Sequence, residues 1–155
     1  MNPQWNKPLD GIDMSEILMG EPQDNAPRRF WQWNGYSPIG TTNAAVREGS
    51  WKLVRPALDV SYATEADQTL ADRYIEKDIE YKYHPENFSQ VFDWPEPEQI
   101  VPKATKPERY NIDNDPLEQH DLAAQNPDIA QRLLRSLETW FEEVEQERAS
   151  IEDVW

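Results

Sequence analysis

Cysteine is absent from this 155-residue chain. That excludes disulfides, thiol nucleophiles and thiolate metal sites, and leaves the redox compartment open. Histidine is nearly absent: His84 and His120 are the two, each beside polar or proline residues, with no constellation suited to a metal ligand or general base. Basic residues number 15 against 30 acidic ones, for a net charge of -15, which argues against nucleic acid or an anionic membrane as a partner. No apolar run has the length of a transmembrane span, and no signal-peptide core is found, so nothing within the chain is expected to export or anchor it, and its localisation stays open. Aliphatic residues are scarce as well. Leu, Ile, Val and Phe make up thirty of the 155 residues, close to the roughly 20% below which a strongly charged chain stays disordered. Seven Trp and six Tyr pull the other way, since each aromatic buries roughly 150–250 Å². The expectation is one domain, or one domain with a large insertion, that leans on a neighbour.

What is present is organised around Ala44-Ala45-Val46-Arg47-Glu48-Gly49-Ser50-Trp51-Lys52-Leu53-Val54-Arg55. The stretch reads as two short strands hinged at Glu48-Gly49, because Gly49 takes the positive φ of a tight turn without steric cost. Pairing Val46 with Trp51 and Ala44 with Leu53 puts those four residues on one apolar face. Ala45, Arg47, Ser50 and Lys52 then share a polar face.

Around this hairpin, Met1–Pro8 reads as a tail or linker. Asp13 and Glu16 form a capping-box pattern for a helix of barely two turns, with Ile12, Ile17 and Leu18 as its apolar contacts and Gly20 ending it. Arg29-Phe30-Trp31-Gln32-Trp33 reads as a strand with Trp31 and Trp33 on one face. Thr64–Lys82 carries apolar residues at spacings of four and predicts a surface helix. Tyr83–Pro107 is proline-rich and irregular, with a helical turn at Glu86–Val91. Residues 58–106 are therefore read as an insertion between adjacent strands. Arg109-Tyr110-Asn111-Ile112 is a short strand that stops where Asp115 caps, Pro116 takes the first helical position and Glu118 completes a box. The last element, Pro127 to about Arg148, has Asn126 as cap and a stripe of Ile129, Leu133, Leu137, Trp140 and Val144, widened by Ala130, Leu134 and Phe141. Its apolar side is expected to cover the Ala44/Val46/Trp51/Leu53 face. The predicted fold class is α+β: a small antiparallel sheet of about four strands packed on a long C-terminal helix, with a helical and irregular insertion.

These segments resemble the C-terminal end of a formylglycine-dependent, arylsulfatase-like sulfatase of the alkaline-phosphatase superfamily. Leu9-Asp10-Gly11-Ile12-Asp13 through Gly20 is similar to that family's "DG-x-(S/D)-hydrophobic…G" segment. Ala45–Leu53 resembles its "AVR-x-G-x-WKL" hairpin. Tyr110-Asn111-Ile112 with Asp115-Pro116-x-Glu118 and Asp121-Leu122-Ala123 resembles "LYDL-x-x-DP-x-E-x-x-NLA", with Asn111 and Asp121 replacing the usual Asp and Asn. The resemblance implies that residues 1–28 end a catalytic-domain segment and linker, 29–148 form the C-terminal subdomain (58–106 its insertion) and 149–155 are a tail. It implies a parent activity of sulfate-ester hydrolysis, with a divalent cation, usually calcium, and a formylglycine. Those cofactors are not expected in this chain. It has no Cys, and none of its seven Ser stands in a Ser-x-Pro-x-Arg pattern. The metal-binding acids have no counterpart, and the catalytic Lys and His that the resemblance would assign precede the "DG" segment. No catalytic residue and no metal ligand is therefore assigned. The implied partners are a sulfatase catalytic domain, in cis or in trans, and through it a sulfated substrate.

Among individual residues, Arg47 and Lys52 can contact an anionic substrate held by an adjoining domain, against the plainer reading of a solvated face or an intersubunit ion pair. Trp31, Trp33 and Tyr36 can stack on a sugar ring, against the plainer reading of core or interface packing. Asp113, Asp115 and Glu118 suggest calcium, but a twelve-residue EF loop from Asn111 would need Gly at Pro116 and Glu at Leu122, so a turn-and-cap role is expected. Gly49, Trp51, Asp115, Pro116, Glu118 and Trp140 are assigned structural roles. Two other readings stay open: a stand-alone glycan-binding module with the Trp-rich strand as its platform, and an acidic interaction module docking through exposed apolar surface.

Overall fold

The computed structural model describes residues 13–21, 27–34, 38–89 and 94–150. Four strands form one antiparallel sheet in the order β1-β2-β3-β6: β1 Arg29–Gln32, β2 Ala44–Glu48, β3 Trp51–Arg55 and β6 Glu108–Asn111. A separate two-stranded sheet pairs β4, Ser61–Tyr62, with β5, Gln99–Ile100. The helices are α1 Ser15–Leu18, α2 Glu65–Tyr83 and α3 Pro127–Ser150. The fold is α+β, with α3 lying on one face of the larger sheet.

The apolar side of the hairpin meets the apolar stripe of α3. Val46, Leu53 and Leu133 are wholly buried, Leu137, Ala44 and Ala130 nearly so, and Phe30, Trp51, Ile129, Leu134 and Trp140 pack around them. The Trp140 ring stacks on Phe30 with centroids 5.1 Å apart. Phe141 closes on the loop before β2, where a Cβ on Gly40 would come within 2.8 Å of its ring. Val144 departs from the expected stripe and is 41% exposed. A 24-residue helix is about 36 Å long, while strands of four or five residues reach only about 17 Å. The last turns of α3 therefore overhang the sheet.

The hairpin register differs from the expected one. Glu48 pairs with Trp51, Val46 with Leu53 and Ala44 with Arg55, around a two-residue loop of Gly49 and Ser50. Gly49 takes φ +56° at the first loop position, the place a type II′ turn reserves for glycine. Glu48 stays in the strand, where its side chain reaches Arg28 and Arg132. Moving the turn by one residue shifts the pairing by two, so each side chain keeps its expected face.

Three local expectations are corrected. Asp13 accepts from the Ser15 N–H at 2.9 Å, but Met14 occupies the cap position and makes no side-chain cap bond. The helix is a single turn, with Leu18 83% exposed and Ile17 40% exposed rather than packed; Ile12 lies outside the described residues. Around Asp115, Pro116 and Glu118 the chain makes a turn, not a helix, with Glu118 at φ +55°. Asp115 instead accepts the N–H groups of Gln119 and His120, at 3.1 and 2.8 Å. Of the helical turn expected at Glu86–Val91, the described part is a short 3₁₀ turn at Pro85–Asn87; Gln90 and Val91 lie outside the described residues.

Strands β3 and β6 are direct neighbours, so residues 58–106 leave the sheet and return to the same edge. Within that excursion Thr64 caps α2 by accepting from the Asp67 N–H at 3.1 Å. Arg73 lies 4.4 Å over the Trp94 ring. None of the residues of the main hydrophobic core comes from this segment.

Candidate functional site

One face of the sheet is covered by α3; the other carries the candidate residues. Alternation along the strands sends Arg29 and Trp31 of β1, Ala45 and Arg47 of β2, Lys52 and Val54 of β3 and Glu108 and Tyr110 of β6 to that outer face. The registers align them in rows. Arg29 faces Arg47, Arg47 faces Lys52 and Lys52 faces Tyr110; beside them run Trp31, Ala45, Val54 and Glu108.

The two halves of this face differ. On the β3–β6 side the turn after β6 folds back over the sheet. The Lys52 ammonium pairs with Glu118 at 2.6 Å, and the Ser50 hydroxyl donates to Asp113. Tyr110 is 8% exposed beneath this cover and donates to Glu108 at 2.7 Å. Burial, then the Glu108 carboxylate, push its phenol well above the ordinary tyrosine range. The β1–β2 side is open: Trp31 is 47% exposed and Trp33 83%.

Trp31 borders three shallow depressions on the open side. One, of about 360 Å³, lies between it, Arg29, Arg47, Ser50 and Asp113. A second of about 360 Å³ is lined by Trp31, Ala45, Arg47, Lys52, Ile112 and Glu118. A third of about 300 Å³ joins Trp31 to Trp33 and Val54. The structure thus brings Arg47, Lys52 and Trp31 together and sets Trp33 beside them, ending the strand with its N–H on the Asn43 carbonyl. Packing within the core is not the role of Trp31 or Trp33. Tyr36 lies outside the described residues.

The structural candidates act as supports. Trp51 carries the Arg109 guanidinium over its ring, 4.2 Å from the centroid. Arg109 is wholly buried and donates from Nη2 to the Leu122 carbonyl at 2.7 Å. Its own N–H is held by Asp121 at 2.9 Å, and the Leu122 N–H returns a bond to its carbonyl at 2.7 Å. The Asp121–Ala123 loop therefore covers the β6 edge that would otherwise be unpaired. Two residues escaped the sequence reading. Arg109 sits in an alternating strand where a charged side chain reads as solvent-facing. Arg29 acquires meaning only from the register that sets it opposite Arg47.

The carboxylates of the turn are engaged within the chain. Asp113 is engaged by Ser50, both Asp115 oxygens by backbone N–H groups and Glu118 by Lys52. Bonds from Gln119 and His120 hold the Asp115 carboxyl below the ordinary range. Among the described residues no three His, Asp or Glu side chains converge. Of the two histidines, His84 lies 3.3 Å from Glu86 and His120 3.5 Å from Asp115, both on the surface. Comparison with protein-family models and with curated proteins finds no match to this chain.

Proposed function

We propose that this chain is the C-terminal subdomain of a sulfatase-type hydrolase, walling one side of a substrate cleft whose chemistry is carried by a separate catalytic domain. The observation that carries the reading is the ion pair between Lys52 and Glu118 at 2.6 Å. It joins the Trp-Lys-Leu segment of the hairpin to the Asp-Pro-x-Glu turn, two motifs whose order along the chain carries the resemblance. A second support is the disposition of the sheet, one face packed on α3 and the other open with cations and aromatics.

On this reading the division of labour is physical. Sulfate-ester hydrolysis needs a strong nucleophile, a cation at the sulfuryl oxygens and an acid for the leaving group. The formylglycine and divalent cation of such an enzyme would belong to the catalytic domain. This chain would contribute Arg47 as positive charge toward an anionic substrate, with Lys52 engaged by Glu118 and Trp31 and Trp33 as apolar contact. The exposure of Trp31 and Trp33 also favours a second reading, a stand-alone glycan-binding module.

The test is reconstitution. Purified alone, the chain is expected to hydrolyse no chromogenic aryl sulfate above the buffer rate, with or without calcium. Mixed with a sulfatase catalytic domain ending just before its own "DG" segment, it is expected to associate and raise that domain's activity, including at moderate salt, where surface charge pairs are screened within roughly 8–10 Å. Turnover by the chain alone that survives re-purification, or failure to associate, would overturn the reading.

A further inference from the structure

We infer that the open half of the sheet binds an oxyanion carried on a ring, a sulfate ester of an aryl group or of a sugar, with the anion held between Arg29 and Arg47 and the ring against Trp31. The choice of sulfate rests on the subdomain reading above; the site itself rests on the geometry of this chain.

Arg29 and Arg47 are direct partners across β1 and β2. Side chains so placed start about 4.5–5.5 Å apart, and like charges there repel. The third cation of the row, Lys52, is neutralised by Glu118, but the other two are not. Among the described residues the Arg29 side chain makes no hydrogen bond or ion pair, and the Arg47 side chain makes one, from Nε to the Gly49 carbonyl at 2.9 Å. Asp113 borders the same depression yet accepts from Ser50 and pairs with neither guanidinium. Arg28, Arg55, Lys77, Arg132 and Arg148 each hold a carboxylate; of the described bases that hold none, Arg29 and Arg47 are the two that stand opposite each other on neighbouring strands. Two adjacent guanidiniums left without one are an unsatisfied pair of forks, suited to the oxygens of a sulfate.

The aromatic neighbour narrows the ligand. Trp31 shares both of the larger depressions with Arg47 and leaves nearly half its surface free. An indole there offers an apolar face to a flat or pyranose ring, while a free ion would use only the arginines. The depressions are shallow, so affinity should come from the paired charges and the stacked ring together.

Titration of the full chain, followed by the indole N–H signals in two-dimensional NMR, tests this. Phenyl sulfate and a sulfated monosaccharide are the probes, with phenol, the unsulfated sugar and inorganic sulfate as controls. Saturable binding of at least one sulfated probe is expected, weaker at high salt, and which probe binds more tightly identifies the source of the ring. Arg29→Gln and Arg47→Gln should each weaken binding roughly ten- to a hundredfold, Trp31→Ala should weaken it, and Arg148→Gln should leave it unchanged. Removing one of two like charges should not lower the melting midpoint; if Arg47→Gln fails to fold, Arg29→Gln carries the test. Absence of saturation, binding indifferent to all three substitutions, or inorganic sulfate binding as tightly as the ring-bearing probes would each overturn the site. Failure here with successful reconstitution sinks the site alone, and binding here without reconstitution sinks the subdomain reading alone.

Discussion

Glu48 stands at the end of β2, beside the turn rather than in it, and is the acceptor for two arginines from different parts of the chain. Arg132 of α3, then Arg28 before β1, hold its carboxyl down to about 2 from the ordinary 4.5. A depressed carboxylate stabilises the fold fully above its unfolded pKa, and that contribution is lost as pH falls from about 4.5 toward 2. The whole shift would correspond to about 3.4 kcal/mol at 1.36 per unit. Both arginines are more than 40% exposed, so screening reduces the expected contribution to about 1–2 kcal/mol. Glu48→Gln should therefore lower stability at pH 7 by about that amount and flatten the acid limb of the stability curve. Urea denaturation of both proteins at pH 7 and pH 3 measures it: the gap between them should narrow to less than half at the lower pH, and a gap that stays unchanged would place Glu48's contribution in packing rather than charge.

At the scale of elements, the described hydrophobic core lies between α3 and the inner face of the hairpin. Leu133 lies wholly inside it, whereas Trp140 sits at its margin, stacked on Phe30 and partly in solvent. Truncating a buried leucine to alanine costs roughly 3–5 kcal/mol where the site cannot collapse. Trp140→Ala loses a larger side chain but a smaller buried fraction, together with a stacked pair, for about 2–3 kcal/mol. Chemical denaturation should rank Leu133→Ala as the more damaging; the reverse order would mean that the aromatic margin, not the aliphatic centre, holds the helix. Arg55 secures the same contact from the end of β3, with its guanidinium on the Gly40 carbonyl and the Glu138 carboxylate.

For the whole molecule, the excursion between β3 and β6 adds no residue to the main hydrophobic core. It has its own contacts, including Ala71 buried on α2, Tyr74 against Trp94 and Tyr81 against Phe88. It is tied to the rest through Glu96, whose charge acts on Arg148 of α3, and through its first residue, Leu58. The Thr42 hydroxyl, wholly buried, donates to the Pro56 carbonyl at 3.1 Å and accepts from the Leu58 N–H at 2.8 Å. A deletion that keeps Leu58, removes residues 59–106 and closes with a short Gly/Ser loop should leave the sheet and α3 folded. Loop length itself matters little, about 0.6 kcal/mol per doubling. A single cooperative melting transition for the shortened chain is the expected result, and its loss would make the insertion part of the core.

The sequence alone determined the elements whose signal is periodic. The stripe of α3, the inner and outer faces of the hairpin and the helix after Thr64 were all legible, because alternation at two and 3.6 residues is a property of the chain itself. Gly49 marked the turn, but the choice between Glu48-Gly49 and Gly49-Ser50 was settled in three dimensions, where Glu48 meets Arg28 and Arg132. The same holds at Asp115, whose capping grammar suits a helix start but whose oxygens hold a turn, since Glu118 is drawn to Lys52. Of the open face, Arg47, Lys52, Trp31 and Trp33 could be named from strand pattern. Arg29 could not, because its place opposite Arg47 depends on how β1 registers against β2. Cross-strand neighbours are set by pairing between distant segments, and no local pattern encodes which residue will stand opposite which.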